Sequence, residues 1–276
     1  MQTDDYQDAV RRALEEDLGP AGDVTTLATV PPDAVATARF VARQAGVIAG
    51  LAVAAAAFDA VAGGAAQLTK AIEDGAAVAP GDLIATVHGP LPAILTAERT
   101  ALNFLGHLSG VATLTRRWVD AVAGTGARIR DTRKTMPGLR VLEKYAVVCG
   151  GGVNHRMSLS DAALVKDNHV VAAGGVVQAF ELVRAAYPGL PIEIEVDTVA
   201  QARAVLDAGA DLVLLDNMSL AEMREVVAYA AGRAKLEASG GLTLDTAKAV
   251  ADTGVDYLSI GALTHSAPVL DIGLDM

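Results

Sequence analysis

The pattern of hydrophobic and polar positions changes character near residue 126 of the 276-residue chain. Before that point, apolar and charged positions alternate at helical spacing over 4–18, and turn sequences rich in Gly, Pro and Asp then separate shorter stretches. These stretches predict strands within 36–50, 65–75 and 82–89, with an alanine-rich helix at Leu51–Val61. The first 90 or so residues are therefore predicted to form a small mixed sheet-and-helix domain.

A long helical pattern from Ile94 to Ala123 leads out of this domain, with Gly106 and Gly110 as candidate breaks. Strands and amphipathic helices then alternate to the end of the sequence. The predicted strands lie near 127–131, 162–166, 191–196, 211–215, 234–238 and 256–260. The predicted helices lie near 138–148, 174–187, 198–208, 219–231 and 243–253. Regular alternation of this kind predicts a parallel sheet with right-handed crossovers.

Polar or glycine residues recur at the carboxyl ends of five predicted strands, at intervals of 29, 21, 23 and 22 residues. They are Lys166, Glu195, Asp216, Ser239 and Gly261. In an α/β barrel these strand ends share one rim, where active sites are built. Strand ends are often polar because they enter loops, but that explains one or two such residues better than five. Only six strands are evident after Gly126, so an incomplete barrel is expected.

Composition excludes several classes of protein. The chain is 52% hydrophobic and 20% charged, and charges or glycines interrupt every apolar run before it could span a membrane. A net charge of −11 and 4% aromatic residues argue against nucleic acid as a partner. The single Cys149 excludes an intrachain disulfide, and the acidic start MQTDDYQDAVRRALEEDLG has no signal-peptide pattern. We therefore expect a cytoplasmic α/β protein.

Charge is distributed unevenly along this acidic chain. Between Arg128 and Lys166 there are eight basic residues and three acids, a local charge of +5. A cationic cleft concentrates anions, so this segment suggests a small polyanionic ligand. Chance clustering of solvated surface charges is the alternative.

Two segments of this basic region carry candidate binding groups. Asp131-Thr132-Arg133-Lys134-Thr135 leaves a predicted strand, and adjacent Arg and Lys can hold two anionic groups. Gly150-Gly151-Gly152-Val153-Asn154-His155-Arg156 joins a flexible glycine run to an imidazole and a second guanidinium. Solvated helix-entry charges and a structural histidine are the alternative interpretations of the two segments.

The next predicted strands end in groups of both charges. Lys166 follows an apolar strand, so it is expected to be partly buried and to have either an anionic partner or a shifted pKa. It could form a structural ion pair with a carboxylate, or it could be a Schiff-base lysine. Glu193, Glu195 and Asp197 alternate with period two and so face one side of their strand. With Asp216 on the next strand, such carboxylates suit Mg²⁺.

Glycine loops follow the last two predicted strands, at Ser239-Gly240-Gly241 and Ile260-Gly261-Ala262. Each precedes a potential helix N-terminus, an arrangement that binds phosphate in many barrels.

Several of these motifs together resemble the quinolinate phosphoribosyltransferases, a family of type II phosphoribosyltransferases that makes nicotinate mononucleotide for NAD. The resemblance covers nearly the whole chain and is most specific in Asp131-Thr132-Arg133-Lys134-Thr135 and in the pair that includes Asn154-His155-Arg156 and Lys166-Asp167-Asn168-His169. Further matching segments are Thr96–Asn103, Glu143–Ala146, Glu193–Val196, Leu215–Asn217, Glu237–Gly241 and Gly254–Tyr257.

The resemblance implies an N-terminal α/β sandwich domain with its linking helix at 1–110, and an open α/β barrel of about seven strands at 111–276. It implies that a C-terminal tail could pack back on the first domain, and that the enzyme is a homodimer in which Arg99 reaches the neighbouring active site. Arg133, Lys134, His155, Arg156 and Lys166 would surround the quinolinate carboxylates, with Thr132 also binding substrate.

The resemblance also implies that Glu195 and Asp216 contact the ribose and the Mg²⁺–pyrophosphate group. Ser239, Gly240, Gly241, Ile260, Gly261 and Ala262 bind the 5-phosphate. The catalytic set is Lys134, His155, Lys166, Glu195 and Asp216, and the proton that replaces the C2 carboxylate could come from Lys134 or His155.

Three other functions compete with this one. A related type II phosphoribosyltransferase would use another aromatic acid, such as nicotinate, and its single carboxylate would leave part of the cationic cluster unpaired. A barrel aldolase would form a Schiff base on Lys166. A protein that only binds a phosphorylated metabolite would use the same cationic region without turnover.

Overall fold

The structure is a computed structural model that describes residues 4–276. The chain divides into two compact units. Among the described residues, unit 1 contains those up to 116 together with 135–151 and 262–276, and unit 2 contains 117–134 and 152–261. The chain therefore leaves unit 1 and returns to it twice.

Unit 1 contains the helices and strands that begin before residue 117. Two later helices and the final strand also belong to it. Its helices are α1 (Asp4–Leu18), α2 (Val24–Thr29), α3 (Leu51–Ala62), the larger part of α4 (Leu91–Ala121), α5 (Arg140–Cys149) and α11 (Ala262–His265). Its strands are β1 (Val35–Ala42), β2 (Gly46–Val47), β3 (Gln67–Lys70), β4 (Ala77–Val78), β5 (Leu83–Pro90) and β12 (Ile272–Asp275).

An antiparallel sheet with the strand order β12-β1-β5-β3 is the centre of unit 1, and β2 and β4 form a separate antiparallel pair. Alternate side chains of β1 are buried, as the period of two predicts, and Phe40 among them meets Phe58 of α3 edge to face with ring centroids 5.9 Å apart. Helix α1 packs against α3 and α5. The C-terminal strand β12 pairs with β1, with Arg39 opposite Asp275.

Helix α4 is continuous over 31 residues, so the expectation of a break at Gly106 or Gly110 is wrong. Both glycines instead lie against the C-terminal segment. A Cβ on Gly110 would lie 2.1 Å from the Pro268 carbonyl oxygen, and the Gly106 carbonyl accepts a hydrogen bond from the Leu270 N–H at 3.0 Å. Glycine is needed here because another main chain passes too close for a side chain.

Unit 2 alternates strands and helices. Its strands are β6 (Arg128–Arg130), β7 (Ala163–Val165), β8 (Ile192–Val196), β9 (Leu212–Asp216), β10 (Lys235–Ser239) and β11 (Tyr257–Ser259). Its complete helices are α6 (Asp167–Ala173), α7 (Val176–Ala186), α8 (Val199–Asp207), α9 (Leu220–Ala230) and α10 (Leu244–Ala251).

The six strands form one parallel sheet with the order β6-β11-β10-β9-β8-β7. Each lies within one residue of its predicted bounds. An isolated parallel bridge joins Val153 to Arg130 and adds a seventh position beside β6. Within 4–276 no strand pairing joins this end to β7, so the sheet is an open one, in agreement with the predicted α/β class and incomplete barrel. The short helix α6, directly after Lys166, was not predicted.

Candidate active site

The carboxyl ends of the parallel strands bring the predicted rim residues to one edge of the unit 2 sheet. Glu195 lies in β8 beside Leu214 of β9, and Asp216 ends β9 directly beside Ser239, which ends β10. Lys166 follows β7 and caps α6, and Gly261 follows β11 by two residues. The parallel sheet therefore places on one edge residues that lie up to 95 positions apart in sequence, from Lys166 to Gly261.

Lys166 and Glu195 form an ion pair through Nζ and Oε2. The Lys166 side chain is 46% exposed, and its expected anionic partner is present. A Schiff-base lysine is activated by desolvation or by a neighbouring cation. Lys166 has neither solvent exclusion nor a cation as its direct partner, which argues against the aldolase.

Asn217 holds Asp216 from the following position. It has a left-handed backbone with φ of 53°, and its Nδ2 donates to Asp216 Oδ2 at 2.7 Å. Its N–H donates to the Ser239 carbonyl at 3.0 Å. A Cβ on Gly240 would lie 2.2 Å from Asn217 Oδ1, so this glycine is required by its neighbour as well as by its own positive φ of 89°.

The loop after β6 and the segment after Val153 bring two guanidinium groups together. Burial and the nearby Arg133 lower the pKa of Arg156, whose Nη1 donates to the Ala162 carbonyl at 2.9 Å. Among the described residues, the buried Nε atoms of Arg133 and Arg156 have no hydrogen-bond partner. Two like charges with unsatisfied donors form a site suited to an anion. Lys134 in the same loop is exposed, and its N–H donates to Thr132 Oγ1 at 3.0 Å.

His155 is 8% exposed and is held on several sides. Its main-chain N–H donates to Asp131 Oδ1 at 2.8 Å, and its Nδ1 accepts the Arg156 N–H at 2.7 Å. Its Nε2 lies 2.7 Å from Glu193 Oε2 and 3.7 Å from Glu237 Oε1. His155 therefore links the main chain of Arg156 to the buried carboxylates of Glu193 and Glu237.

The predicted site residues include neither Glu237 nor Arg130, and Glu193 entered the prediction only as one of the strand-face carboxylates that suit Mg²⁺. Arg130 Nη1 lies 2.6 Å from Glu237 Oε2, its guanidinium lies over the Tyr257 ring, and the Ser259 hydroxyl donates to Glu237. A charged residue inside an apolar strand is a signal that could have identified both glutamates, because such a residue needs a specific buried partner.

Burial and charge both act on these carboxylates. Burial raises the pKa of Glu193, and Arg130 opposes that shift. Burial together with the Glu193 charge raises the pKa of Glu237 to about 7, against the opposing effects of His155, Arg130 and Ser259. One of these two neighbouring carboxyl groups therefore carries a proton over part of the neutral pH range.

The structure does not bring every predicted site residue into unit 2. Arg99 lies exposed on α4 in unit 1, and Ala262 begins the four-residue α11 of the same unit. Ile260 is buried and its N–H donates to the Arg130 carbonyl at 2.9 Å. Asp197, which was expected to share a strand face with Glu193, lies beyond the end of β8 and is exposed.

An apolar cavity of about 690 Å³ opens beside β7, with α6 and α7 in its walls. Arg156 and His169 contribute polar groups to it, and three of its other lining side chains, Leu159, Leu182 and Tyr187, are more than 60% exposed. Exposed apolar side chains grouped at the end of an open sheet are typical of a surface that another protein covers. Among the described residues, no helix is both long and apolar enough to cross a membrane.

Family models match the chain over almost its full length. Residues 23–109 match the N-terminal domain of quinolinate phosphoribosyl transferase, and residues 111–275 match its C-terminal domain.

Individual proteins show the same relationship. The chain is 52% identical over 277 residues to the nicotinate-nucleotide pyrophosphorylase [carboxylating] of Mycobacterium leprae, covering 99% of this chain and 98% of the relative. Its structure is similar to NadC from Streptococcus pyogenes, with a TM-score of 0.96, 38% identity, and coverage of 100% and 97%. It is also similar to the nicotinate-nucleotide pyrophosphorylase from Francisella tularensis, with a TM-score of 0.95, 36% identity, and coverage of 100% and 97%.

Proposed function

The chain belongs to the quinolinate phosphoribosyl transferase family and transfers phosphoribosyl from phosphoribosyl pyrophosphate to quinolinate with loss of CO₂, and we propose that the strand-end edge of unit 2 is its active site. The observation that supports this location is the pair of half-buried arginines, Arg133 and Arg156, whose buried Nε atoms have no partner among the described residues. Quinolinate carries two carboxylates on adjacent carbons, and planar guanidinium groups recognise carboxylates well.

In this proposal the quinolinate carboxylates bind to the cationic groups around His155. Arg133 and Arg156 supply planar guanidinium groups, and the exposed Lys134 and Lys166 supply point charges. Thr132 orders the loop by accepting the Lys134 N–H. Lys166 is paired with Glu195 and would exchange part of that contact for the substrate.

The phosphoribosyl group would bind along the other strand ends. Asp216 and Glu195 would face the ribose, where their negative charge stabilises the positive charge that develops at the anomeric carbon. The 5-phosphate would bind at the two glycine loops, Ser239-Gly240-Gly241 and Ile260-Gly261-Ala262, through main-chain N–H groups other than that of Ile260, which donates to the Arg130 carbonyl.

Glu195 and Asp216 also suit Mg²⁺. Both are carboxylates at the ends of adjacent strands, both are only half-buried, and Asn217 already orients one oxygen of Asp216. Mg²⁺ commonly takes one or two protein carboxylates and completes its shell with waters and substrate phosphates. When bound, the ion would neutralise charge on the departing pyrophosphate.

The protein's own groups would act in two stages. First, they would hold the pyridine nitrogen against the anomeric carbon while the bond to pyrophosphate breaks, giving a pyridinium. The C2–carboxylate bond then breaks, its electron pair stays on C2 next to the positive nitrogen, and CO₂ leaves. C2 finally takes up a proton. The pyridinium itself stabilises the carbanion, so decarboxylation needs no separate cofactor.

We further propose that the enzyme is a homodimer in which Arg99 acts at the neighbouring site. Arg99 is exposed on α4, and the exposed apolar side chains Leu159, Leu182 and Tyr187 give unit 2 a surface that a second copy could cover. Sedimentation measures the oligomeric state. Mixing inactive Arg99→Ala and Arg133→Ala variants would restore part of the activity if the sites are shared, and would restore none if each chain is complete.

A cytoplasmic location is proposed on chemical grounds. Phosphoribosyl pyrophosphate is a highly charged metabolite that does not cross membranes unaided, and the lone Cys149 is a free thiol, as in proteins of reducing compartments. Cell fractionation with detection of the protein tests this location.

Product analysis tests the reaction. Protein, Mg²⁺ and phosphoribosyl pyrophosphate are mixed with quinolinate, and nicotinate replaces it in a parallel reaction. We expect nicotinate mononucleotide and CO₂ from quinolinate alone. Product from nicotinate instead would move the specificity to another pyridine acid, and no product from either would overturn the proposal.

A further inference from the structure

Three buried titratable side chains, His155, Glu193 and Glu237, meet inside unit 2. Their potential ligand atoms all lie within 4.8 Å of one another. The reaction described above uses neither glutamate. A buried carboxylate is costly compared with an apolar side chain of similar volume, so two of them beside a histidine below the arginine pair require a physical reason.

The contacts of His155 define its tautomer. Nδ1 accepts the Arg156 main-chain N–H at 2.7 Å, so Nδ1 cannot carry a proton. The ring proton of the neutral imidazole is therefore on Nε2, which lies 2.7 Å from Glu193 Oε2. Both ring nitrogens are thus engaged within the protein.

Glu237 completes the cluster from the other side. It accepts from Arg130 Nη1 at 2.6 Å and from the Ser259 hydroxyl, and it lies 3.7 Å from His155 Nε2. These three groups do not suit a divalent cation. Arg130 already contacts Glu237, and Nε2 of His155 carries a proton, so it has no free lone pair with which to bind a metal ion. The cluster is better suited to orienting the imidazole than to binding a metal.

We propose that Glu193 is a positioning residue that fixes His155 as the Nε2–H tautomer, so that His155 in turn holds the main chain carrying Arg156. His155 then orients a substrate-binding guanidinium and does not supply the proton that C2 gains after CO₂ leaves. The proposal rests on the proposed reaction for the role of Arg156, whereas the tautomer itself is independent of that reaction.

Nitrogen NMR of protein labelled with ¹⁵N-histidine tests the tautomer directly. The chain has five histidines, and the signal missing from a His155→Gln variant identifies His155. We expect the Nε2–H tautomer in the wild type and in Glu193→Gln, whose amide oxygen can still accept from Nε2. Glu193→Leu, which has no acceptor for the Nε2 proton, should weaken this preference, because the tautomer then depends on the Arg156 N–H at Nδ1 alone. His107, whose Nε2 lies 2.9 Å from Glu143 in unit 1, should stay unchanged as an internal reference.

Steady-state kinetics tests the consequence for Arg156. We expect Glu193→Leu to raise the KM for quinolinate about tenfold, the effect of losing one hydrogen bond to a charged group, with a smaller change in kcat. Glu193→Gln should recover most of the loss. Glu225→Gln, which removes an exposed carboxylate paired with Arg203, is the matched control and should change neither value.

Single-turnover product analysis of His155→Gln tests the second half of the proposal. A positioning role predicts weaker quinolinate binding without accumulation of the nucleotide that still carries the C2 carboxylate. Accumulation of that nucleotide, an Nδ1–H tautomer in the wild type, or a folded Glu193→Leu with unchanged tautomer and KM would each overturn the proposal. If Glu193→Leu fails to fold, the wild-type and Glu193→Gln spectra still decide the tautomer. A wild type that makes no product would refute the proposed function and leave the NMR result intact.

Discussion

The Asn217 side chain occupies the space in which a Cβ of residue 240 would lie. A Cβ on Gly240 would lie 2.2 Å from Asn217 Oδ1 and 3.0 Å from its main-chain nitrogen, while Asn217 Nδ2 donates to Asp216. Gly240 and Asp216 are therefore linked through one residue in a left-handed conformation. The glycine of the proposed phosphate loop and the carboxylate of the proposed ribose site depend on each other.

Gly240→Ala should consequently damage both stability and substrate binding. We expect a loss of unfolding free energy of about 2–3 kcal/mol, from the positive φ and the displaced Asn217, and a raised KM for phosphoribosyl pyrophosphate. Gly232→Ala is the control, because Gly232 has a φ of 76° and nothing within 4 Å of its Cβ position. It should cost only about 1 kcal/mol and leave KM unchanged. Equal effects of the two substitutions in denaturant melts and kinetics would refute the link.

Glu237 should make stability depend on pH. Its pKa in the folded protein is about 7, against 4.5 for an ordinary glutamate, so the folded state binds more protons between these values. The free energy of unfolding should therefore fall as pH rises from about 4.5 to about 7, by about 3 kcal/mol from this group. The difference between the wild type and Glu237→Gln, measured by urea unfolding at several pH values, isolates the effect. A difference that does not vary with pH would contradict it.

Arg133→Ala and Lys166→Ala should each reduce nicotinate mononucleotide formation by about a hundredfold or more, because each removes a cation from the proposed substrate site. Arg203→Ala is the matched control, since Arg203 forms an exposed ion pair with Glu225. Rates are measured by mass spectrometry of the product, with circular dichroism as a test of folding. Near-normal turnover in a folded variant would show that the site assignment is wrong.

Gly110→Ala should destabilise unit 1 although alanine is the better helix former. Helix propensity favours alanine by about 1 kcal/mol, but its Cβ would lie 2.1 Å from the Pro268 carbonyl oxygen. We expect a net loss of about 2–4 kcal/mol. Gly126→Ala, where nothing lies within 4 Å of the Cβ position, should be neutral or slightly stabilising. Thermal unfolding of the two variants gives the comparison, and a stabilised Gly110→Ala would exclude the close approach.

The local pattern of apolar and polar residues was sufficient to predict many of the helices and strands of this structure. The alternation of strands and helices after residue 126 predicted all six parallel strands within one residue, because periodicity reports directly which face of an element is buried. It also predicted that Glu195, Asp216 and Ser239 would share an edge, since the carboxyl ends of parallel strands point the same way. The motifs around Arg133 and Lys166 were specific enough to identify the family.

Contacts between distant segments were decided only by the tertiary structure. Glu193 and Glu237 meet His155 because of the strand order, which no local pattern contains, and Lys166 is exposed because of how β7 lies at the end of the sheet. Gly106 and Gly110 gave the sequence signal of a helix break, but they accommodate the main chain near Pro268 inside an unbroken helix. The sequence by itself determined the elements and the chemistry available at their ends. Packing determined which side chains meet, because that depends on the free energy of the whole arrangement rather than on any one segment.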